Sequence, residues 1–464
     1  MKQPTECTRR TFMQNAATLS TGLLFVPGLR KHAPSKKLNL AFIGVGGRGA
    51  RNIKSCAMID DTGTARNNLV AFCDADERRA AAVYEMYPDV PRFSDFRKMF
   101  DKMANEIDGV VISTPDHTHF PATMVAMQLG KHVYVEKPLA HNIWELRTLK
   151  KAEEKYGVVA QLGNQGHTTD GIRKVKEWYE AGILGQVREV IAWFNGPRFS
   201  EKGYFNKPDQ YPPKGESIPE GVDWDAWLGP KLDRPYSHYY FPKWWRGWHE
   251  FGNAELGDWA CHTLDAPFWA LDLGMPTSVD SIFRFPEPAG RDFISDYSQL
   301  QFNFPARGNK APVTLSWFEG GIRPSNRPEW FLDKLPPSGM IMVGDDAAIM
   351  TGGRPNKPQL LGSFEKVSDF QRNMPPMTIP RVAEEDPQGE WIRAITGEGP
   401  KNGAPFSYGA DLTEMALVGV LSQRFNTRIE YDAVQMKVTN HKDMDQYIKE
   451  PVREGWSYGE ELWT

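Results

Sequence analysis

The fold is decided by the stretch Leu40-Ala41-Phe42-Ile43-Gly44-Val45-Gly46-Gly47-Arg48-Gly49. An apolar run typical of a buried strand leads into three glycines spaced as G-x-G-x-x-G, and a helical pattern follows. Glycines at this spacing permit a tight turn, close approach of a phosphate group and close packing of the helix against the strand. The unpaired N–H groups at the start of the helix can bind an anion. The stretch therefore predicts the phosphate-binding turn of a dinucleotide fold, with cofactor contacts at Gly44, Gly46, Gly47, Arg48 and Gly49.

Such a fold needs a carboxylate at the end of the second strand, where it accepts the hydroxyls of the adenosine ribose. Asp74 follows the apolar run 69–73 and stands 25 positions after Gly49, with the polar segment 60–68 as the insertion that lengthens the spacing. A carboxylate at this place repels a 2′-phosphate, so we predict NAD rather than NADP. The neighbouring Arg78 and Arg79 leave NADP open as the less favoured cofactor.

The pattern outward from this turn predicts two domains. Up to about residue 168, short apolar runs (40–45, 69–73, 109–113, 132–135, 158–162) alternate with helical periodicity (48–58, 77–86, 121–129, 143–156), which is typical of βαβ units. Further on, a loop segment rich in Pro, Trp and Tyr (197–250) precedes a helix at 254–272, alternating strands at 278–285, 297–304 and 313–318, and a closing helix at 410–422. We predict an α/β protein with an N-terminal Rossmann domain, a doubly wound parallel sheet, over residues 36–168. An α+β domain with a large, mostly antiparallel sheet follows over residues 169–464, and we expect this sheet to form a homo-oligomer.

The first 35 residues are predicted to be a targeting signal and not a part of the folded domains. Thr8-Arg9-Arg10-Thr11-Phe12 precedes the weakly apolar run 16–26. This arrangement predicts a twin-arginine signal segment over residues 1–35, recognition by the twin-arginine export machinery and a periplasmic location.

Composition excludes several other classes of protein. The 464 residues hold 55 Lys and Arg against 59 Asp and Glu, without a basic stripe, so a nucleic-acid partner is not expected. No run of ~18 apolar residues predicts membrane insertion after the signal is removed. Four cysteines at no metal-like spacing predict neither a disulfide framework nor a metal site.

Two clusters bear chemically active side chains. Glu136-Lys137-Pro138 follows the buried run 132–135, at a strand's carboxyl end where ligands sit in parallel sheets. A lysine there can hydrogen-bond a substrate oxygen. Asp258 and His262, four apart on the predicted helix, share one face, and a carboxylate beside an imidazole suits a base that removes a hydroxyl proton. Each cluster taken alone also fits a purely structural role.

The glycine turn, Glu136-Lys137-Pro138 and Asp258-x-x-x-His262, in this order, resemble the Gfo/Idh/MocA oxidoreductase family over essentially the whole chain after the signal. Ser113-Thr114-Pro115-Asp116-His117-Thr118-His119 is similar to the family's cofactor-bordering loop after the fourth strand. The resemblance implies that Lys137 binds the reacting oxygen and relays a proton, that His262 is the acid–base residue, and that Asp258 orients His262 or binds substrate. It also implies cofactor contacts at Thr114, Pro115, His117, His119, Glu136 and Lys137.

One segment departs from that family. Where many members carry an arginine-containing turn after the sixth strand, this chain has Gly163-Asn164-Gln165-Gly166-His167. We take Gln165 as the candidate cofactor contact and His167 as the candidate substrate contact.

An aromatic block points to the substrate. Seven of the fifteen tryptophans lie between residues 224 and 269, and three of them surround Arg246. Aromatic faces pack on the C–H faces of sugar rings, although about half of these rings are expected to hold the loop to its domain. We therefore predict a carbohydrate substrate, with Arg246 among its contacts.

The sequence as a whole predicts an exported oxidoreductase with tightly bound NAD. It would take a hydride from a secondary carbinol of a sugar, cyclitol or glycoside. The alternative is an NAD-dependent glycosidase that uses transient oxidation, elimination and re-reduction without net redox change. A binding protein without turnover is disfavoured, because Lys137, Asp258 and His262 are all present.

Overall fold

A computed structural model describes residues 37–59, 63–282 and 292–464. Lys37–Thr464 form one compact unit. The predicted signal segment, residues 1–35, lies outside the described residues. Within the described ranges, none of the helices combines the length and the apolar character needed to cross a bilayer.

The first part of the chain alternates strands and helices. Its strands are β1 (Asn39–Ile43), β2 (Asn68–Cys73), β3 (Arg92–Phe93), β4 (Gly109–Ile112), β5 (His132–Glu136) and β6 (Ala160–Gly163). Its helices are α1 (Arg48–Ala57), α2 (Glu77–Met86), α3 (Phe96–Met103), α4 (Asp116–Gln128), α5 (Ile143–Tyr156) and α6 (Asp170–Glu180). A short 3₁₀ turn, Gln165–Thr168, follows β6.

The later part is richer in strands. These are β7 (Val187–Trp193), β8 (Ser278–Ser281), β9 (Ser298–Phe304), β10 (Val313–Glu319), β11 (Gly339–Gly344), β12 (Ala348–Gly352), β13 (Gln359–Leu361), β14 (Ile429–Asp432) and β15 (Lys437–Val438). The helices are α7 (Trp224–Leu228), α8 (Ala254–Thr263), α9 (Asp265–Leu271), α10 (Phe364–Arg372), α11 (Pro387–Thr396), α12 (Phe406–Phe425) and α13 (Asp445–Ile448).

The predicted Rossmann sheet is confirmed. Its six described strands lie in the order β3-β2-β1-β4-β5-β6, and each neighbouring pair is parallel. Strand residues alternate between two buried faces: Leu40 and Phe42 pack with Trp391 on one side, and Ala41 and Ile43 pack on the other. Because both faces are covered, these strands are apolar throughout rather than alternating.

The second sheet is mostly antiparallel, as predicted. Its described strands lie in the order β13-β12-β11-β7-β10-β9-β8-β14-β15, and only the β7–β10 pair is parallel. Strand β9 alternates buried and partly exposed residues, with Leu300 and Phe302 buried and Gln301 and Asn303 on the outer face. This outer face is polar along β9, and the predicted homo-oligomer stays a prediction.

Several element predictions differ from the structure. Helix α4 begins at Asp116 rather than at Pro121, so Pro121 lies in its second turn, where it lacks the N–H that would donate to the carbonyl oxygen of His117. The helix predicted over 254–272 is two helices that meet at Leu264. The predicted closing helix is longer, Phe406–Phe425, and it does not close the chain, since β14 and β15 extend the second sheet after it.

Two late helices pack on the first part of the chain. Helix α11 lies against α1, where Gln388 Nε2 donates to Asn52 Oδ1 over 2.8 Å and Trp391 is fully buried with Phe42 and Tyr134. Helix α12 packs against both α5 and α8. Residues of the predicted second domain therefore complete one helical layer over the first sheet, and the domain boundary at 168/169 stays a prediction.

Because Trp391 fills the layer beneath the first sheet, replacing it should destabilise the whole unit. Trp391→Ala should lower the free energy of unfolding by about 3–5 kcal/mol through the lost burial and the cavity left behind. Chemical denaturation followed by circular dichroism measures the change. Phe364→Ala, at a side chain 82% exposed on α10, is the control and should change stability by less than about 0.5 kcal/mol. Equal effects of the two substitutions would contradict the packing.

Candidate functional site

The glycine turn after β1 is sterically required. Gly44 has φ +79°, and a Cβ there would lie 2.7 Å from the carbonyl group of Ser113. A Cβ at Gly49 would overlap the carbonyl oxygen of Gly44. Helix α1 then begins at Arg48, and no side chain caps its first N–H groups. The start of helix α1 thus offers backbone N–H groups that no side chain caps to an anion.

Asp74 is bound to this turn rather than free. Its Oδ2 accepts hydrogen bonds from the backbone N–H groups of Val45 at 2.9 Å and Gly46 at 3.0 Å, and its Oδ1 accepts one from Asp76 N at 3.0 Å. Burial raises the pKa of Asp74, and these backbone donors oppose the rise. The carboxylate lines the cleft beside the turn and also shapes the turn itself, and its contact with a ribose stays a prediction.

The two arginines after Asp74 differ in their surroundings. Arg78 is held by Asp76, to which its guanidinium donates over 2.8 and 3.0 Å. Arg79 lines the cleft beside Gly46 and Gly47, and its charge acts on the Asp74 carboxylate.

The loop after β4 contributes backbone and small side chains to the cleft. Thr114 and Pro115 line it, and the buried Thr114 Oγ1 has no hydrogen-bond partner among the described residues. His117 and His119 are buried, and both ring nitrogens of each lie 2.8–3.3 Å from backbone carbonyl oxygens. Neither imidazole presents a nitrogen to the cleft, so their side chains fix the loop, which corrects the prediction of direct contacts. Among the described residues, no group of acidic, His and Cys side chains forms a metal cluster.

The aromatic segment (residues 197–250) covers the same cleft. Tyr204, Phe241 and Trp245 line it opposite the glycine turn. Two backbone hydrogen bonds fasten the segment to the end of β2, from Asp223 N to Ala75 O and from Glu77 N to Gly221 O, both 2.9 Å. The cofactor cleft is therefore bounded by the first sheet on one side and by this long segment on the other.

Glu136, at the end of β5, lies at the centre of a hydrogen-bond network. Its Oε1 accepts from Arg48 Nε and Asn52 Nδ2, both at 2.9 Å, and its Oε2 accepts from Gln165 Nε2 at 3.2 Å. The network joins the start of α1, the end of β5 and the 3₁₀ turn after β6. Arg48, Glu136 and Gln165 are thus brought together as predicted cofactor residues, and their roles stay predictions.

Lys137 reaches from β5 to helix α8. Its Nζ forms an ion pair with the carboxylate of Asp258 and donates a 2.9 Å hydrogen bond to the backbone oxygen of the same residue. Burial alone would raise the pKa of Asp258, but the charges of Lys137 and Arg246 hold it below its usual value. Lys137 and Asp258, 121 positions apart, therefore share one site.

His262 lies one turn further along α8, and Asp258 does not orient it. Its Nδ1 lies 2.6 Å from Asn164 Oδ1. Because Asn164 Nδ2 donates to Cys261 O and to Asp265 Oδ2, Oδ1 is the acceptor and His262 Nδ1 carries the proton. His262 Nε2 is left with a lone pair and no partner among the described residues. Burial and the charge of Lys137 lower the pKa of His262 well below its usual value, so the ring is neutral.

Asn164 and Asp265 belong to this site and were not predicted from the sequence. Asp265 accepts from Asn164 at 2.9 Å and from the Tyr408 hydroxyl at 2.6 Å, and His167 Nδ1 lies 3.0 Å from it. His167 is buried between Trp269 and Tyr408 behind His262, so the structure does not place it in the cleft as a substrate contact. The position of Asn164 within the departing segment 163–167 was the available signal.

Arg246 and Asp116 lie close enough to Asp258 for their charges to interact with it. Arg246 lines the cleft, stacks on Trp245 at 4.2 Å and lies over Tyr204 at 5.0 Å. Asp116 Oδ2 accepts hydrogen bonds from Asn253 N at 3.2 Å and Asn253 Nδ2 at 3.3 Å. Burial raises the pKa of Asp116 to about 7. The charge of Arg246 opposes this rise, and the charge of Asp258 contributes to it. Arg246 thus lines the cofactor cleft, and its role as a substrate contact stays a prediction.

The aromatic block mostly packs on itself. Trp224 and Trp227 stack at 4.8 Å, and Trp248 meets Phe293 edge-on at 4.9 Å, within one buried cluster. The tryptophan beside the site is instead Trp259, which is partly exposed, 5.4 Å from the His262 ring and stacked on Phe194 at 3.9 Å. More of these rings pack against one another than the half that we predicted.

The cleft fits a dinucleotide. The glycine turn would bind the pyrophosphate, Asp74 lies where the adenosine ribose is expected, and the unpartnered Thr114 hydroxyl can bind a polar group. Lys243 and Arg246 add positive charge on the opposite wall.

Comparison with known protein families assigns both parts of the chain. Residues 38–164 match the GFO_IDH_MocA model, described as the oxidoreductase family with an NAD-binding Rossmann fold. Residues 168–303 match the model of the C-terminal alpha/beta domain of the same oxidoreductase family.

Individual relatives are distant. Inositol 2-dehydrogenase of Klebsiella pneumoniae (strain 342) is 30% identical over 152 residues, 32% of this chain and 43% of that protein. Glycosyl hydrolase family 109 protein 1 of Akkermansia muciniphila is 28% identical over 156 residues, 31% of each. The chain thus matches less than half the length of these relatives. The solved WlbA dehydrogenase from Bordetella pertussis, in complex with NADH and UDP-GlcNAcA, shares the fold, with TM-score 0.58, 17% identity and coverage of 86% of this chain and 99% of that one.

Asp74→Ala should weaken both the turn and the cofactor. Removing the acceptor of three backbone N–H groups should cost about 1–3 kcal/mol of stability and reduce the affinity for added NAD, measured by calorimetry on cofactor-free protein. The control is Asp108→Ala, whose carboxylate accepts from Asn39 N at 2.9 Å on the same sheet away from the cleft. It should lose stability but keep NAD affinity. Unchanged NAD binding in Asp74→Ala would remove Asp74 from the cofactor site.

Asp116 should make stability depend on pH. Its folded pKa of about 7 lies above the unfolded value of about 3.9. The unfolded chain therefore ionises first, and this contribution to stability is lost as pH rises through that window. Asp116→Asn should gain stability relative to the natural chain between about pH 5 and about pH 8, measured by denaturation at each pH. Asp89→Asn, at an exposed position, is the control for the change of charge. A difference that does not grow with pH would contradict the burial of Asp116.

Proposed function

The chain belongs to the Gfo/Idh/MocA oxidoreductase family, and from this membership we propose that it is an exported enzyme with tightly held NAD. It oxidises a secondary carbinol of a sugar, cyclitol or glycoside by hydride transfer. The similarity to an inositol 2-dehydrogenase and the UDP-GlcNAcA bound by a structural neighbour support a polyhydroxylated substrate.

The observation that carries this proposal is the meeting of Lys137 with helix α8. Its ammonium contacts Asp258, and His262 follows one turn later with a free Nε2 lone pair. An oxygen-binding cation and a neutral base beside a dinucleotide cleft are the groups that oxidation of an alcohol requires.

His262 would act as the base. Its proton sits on Nδ1 against Asn164, so Nε2 can accept the hydroxyl proton of the substrate. The Asn164–Asp265 hydrogen bond behind it stabilises the imidazolium that forms, as a buried carboxylate does for a catalytic histidine elsewhere. Asp258 is then left to hold Lys137.

Lys137 would bind the carbinol oxygen. Three N–H bonds of its ammonium allow one donor to serve the substrate while others remain on Asp258. The positive charge stabilises the developing alkoxide and keeps His262 neutral until the proton arrives. NAD, when bound, accepts the hydride from the carbinol carbon.

Export and tight cofactor binding form one proposal. Arg9 and Arg10 before an apolar run support the twin-arginine route to the periplasm, where free NAD is not produced. The aromatic segment over the cleft supports retention of the cofactor, and Asp74 favours NAD over NADP. Reoxidation would then use a second carbonyl substrate or a partner, and assembly into a homo-oligomer is part of the same proposal.

A glycosidase without net redox change is the second candidate. The observation that favours it is Asp116, a buried carboxyl group whose pKa of about 7 keeps it partly protonated near neutral pH beside Lys137 and Asp258. Such a group can protonate a leaving aglycone. The similarity to glycosyl hydrolase family 109 proteins supports the same reading.

The first test is the cofactor itself. Protein isolated from the periplasm should release about one equivalent of NAD or NADH on denaturation, because the cleft walls hold it. Protein that is folded yet free of dinucleotide would contradict the retention proposal.

The second test concerns Lys137 and His262. If they share one proton path, removing either should slow single-turnover reduction of bound NAD by a sugar about 10²–10⁴-fold. The double variant should lose much less than the product of the two, because groups acting as a unit are not additive. Lys151→Ala, on the outer side of α5, is the control. Near-normal rates in His262→Ala would mean that Asp258 and His262 have only a structural role.

The third test separates the two candidates. Purified protein is incubated with aryl glycosides and no added NAD. Release of the aglycone with the sugar unoxidised supports the glycosidase, and Asp116→Asn should then lower that release. Accumulation of NADH with the aglycone retained supports the oxidoreductase.

A further inference from the structure

The loop between β12 and β13 is fastened beside His262. The Thr263 hydroxyl, next to His262, donates to Gly353 O over 3.0 Å. The Thr169 hydroxyl, after the 3₁₀ turn, lies 2.8 Å from Gly166 O and 3.1 Å from Pro355 O and shares its one hydrogen between them. These two bonds bracket Arg354 in the chain, so its backbone is fixed to the two segments that surround the candidate base.

The side chain of Arg354 rests on the tryptophan of the site. Its guanidinium carbon lies 5.1 Å from the centroid of the Trp259 ring, and that ring is 5.4 Å from His262. A guanidinium over an aromatic face keeps its N–H bonds in the plane, directed outward. Arg354 is exposed, so those donors face solvent at the edge of the site.

Within the part of the chain that the structure describes, Arg354 forms no ion pair. The two carboxylates whose charge it feels are already engaged: Asp258 with Lys137, and Glu136 with Arg48. The site therefore carries an uncompensated positive charge beside the reacting groups. A carboxylate can accept two parallel hydrogen bonds from a guanidinium that is held in place and forms no ion pair.

We infer that Arg354 binds the carboxylate of an acidic sugar, so that the substrate class is uronic acids or glycosides that contain them. The inference rests on the proposed function. A single guanidinium matches the single charge of a carboxylate, whereas a phosphate monoester carries nearly two charges. Arg354 is thus a specificity-determining residue, and the carbon that loses hydride lies elsewhere on the same ring, towards His262 and Lys137.

The test compares matched pairs of sugars on protein with its bound NAD. D-glucose is paired with D-glucuronate and D-galactose with D-galacturonate, and glucose 6-phosphate serves as the other anion. Single-turnover reduction of NAD gives the ratio of the half-saturating concentrations within each pair. The natural chain should prefer the acid, and Arg354→Gln should reduce that preference about 10- to 100-fold. Arg354→Lys should restore part of it.

The control is Arg323→Gln, at an exposed arginine after β10 whose guanidinium donates to Pro336 O over 3.5 Å. It should leave the preference unchanged. A natural chain that prefers the neutral sugars, or the phosphate, would overturn the inference, as would equal losses for acid and neutral sugars in Arg354→Gln.

A binding measurement separates this inference from the proposed function. Glucuronate is titrated calorimetrically into the natural chain and into Arg354→Gln. Weaker binding in the variant supports the carboxylate site, even if no sugar reduces the bound NAD. The absence of NAD reduction would count against the proposed oxidoreductase and not against the carboxylate site. Equal binding, or no binding to the natural chain, would overturn the site.

Discussion

The contact between Lys137 and Asp258 is the constraint on which the site depends. It joins the carboxyl end of β5 to helix α8, and therefore the cofactor-binding sheet to the helix with the candidate base. Both groups are largely buried, and an ion pair in such a place gains little net stability because desolvation offsets the attraction. Its value lies in position: neither charge can move away without leaving the other unpaired, which typically costs about 3–5 kcal/mol.

The ion pair with Lys137 also explains why Asp258 does not orient His262. A carboxylate committed to Lys137 cannot also hold an imidazole, and Asn164 takes that role through its amide oxygen. The amide in turn is fixed by Asp265, which His167 and Tyr408 also contact. An amide acceptor fixes the tautomer without placing a full negative charge beside the ring, so the ring remains neutral in a buried and positively charged setting.

The parts of this site that sequence could predict are those with local causes. The glycine turn is one, because the overlap that forbids a side chain at Gly49 involves Gly44, five positions away. The strand-end location of Lys137 is another, because parallel βαβ units direct carboxyl ends to one edge. Asn164 and His262 meet across 98 positions only because α8 packs over the end of β6, and no periodicity encodes that packing. The docking of α11 beneath the first sheet is non-local in the same way.

The aromatic segment shows that composition can indicate a cluster of rings without indicating what those rings pack against. Rings near Arg246 suggested a sugar platform, but stacking among them buries most of their faces, and the ring faces that remain border the cofactor cleft. Burial of aromatic area favours association with any apolar surface and does not select a sugar. The aromatic ring beside the candidate base is Trp259, which lies on the helix of His262. The loop fastened by Thr263 places the Arg354 guanidinium over that ring. The segment that lines the cleft and the loop that carries Arg354 are therefore separate parts of the chain.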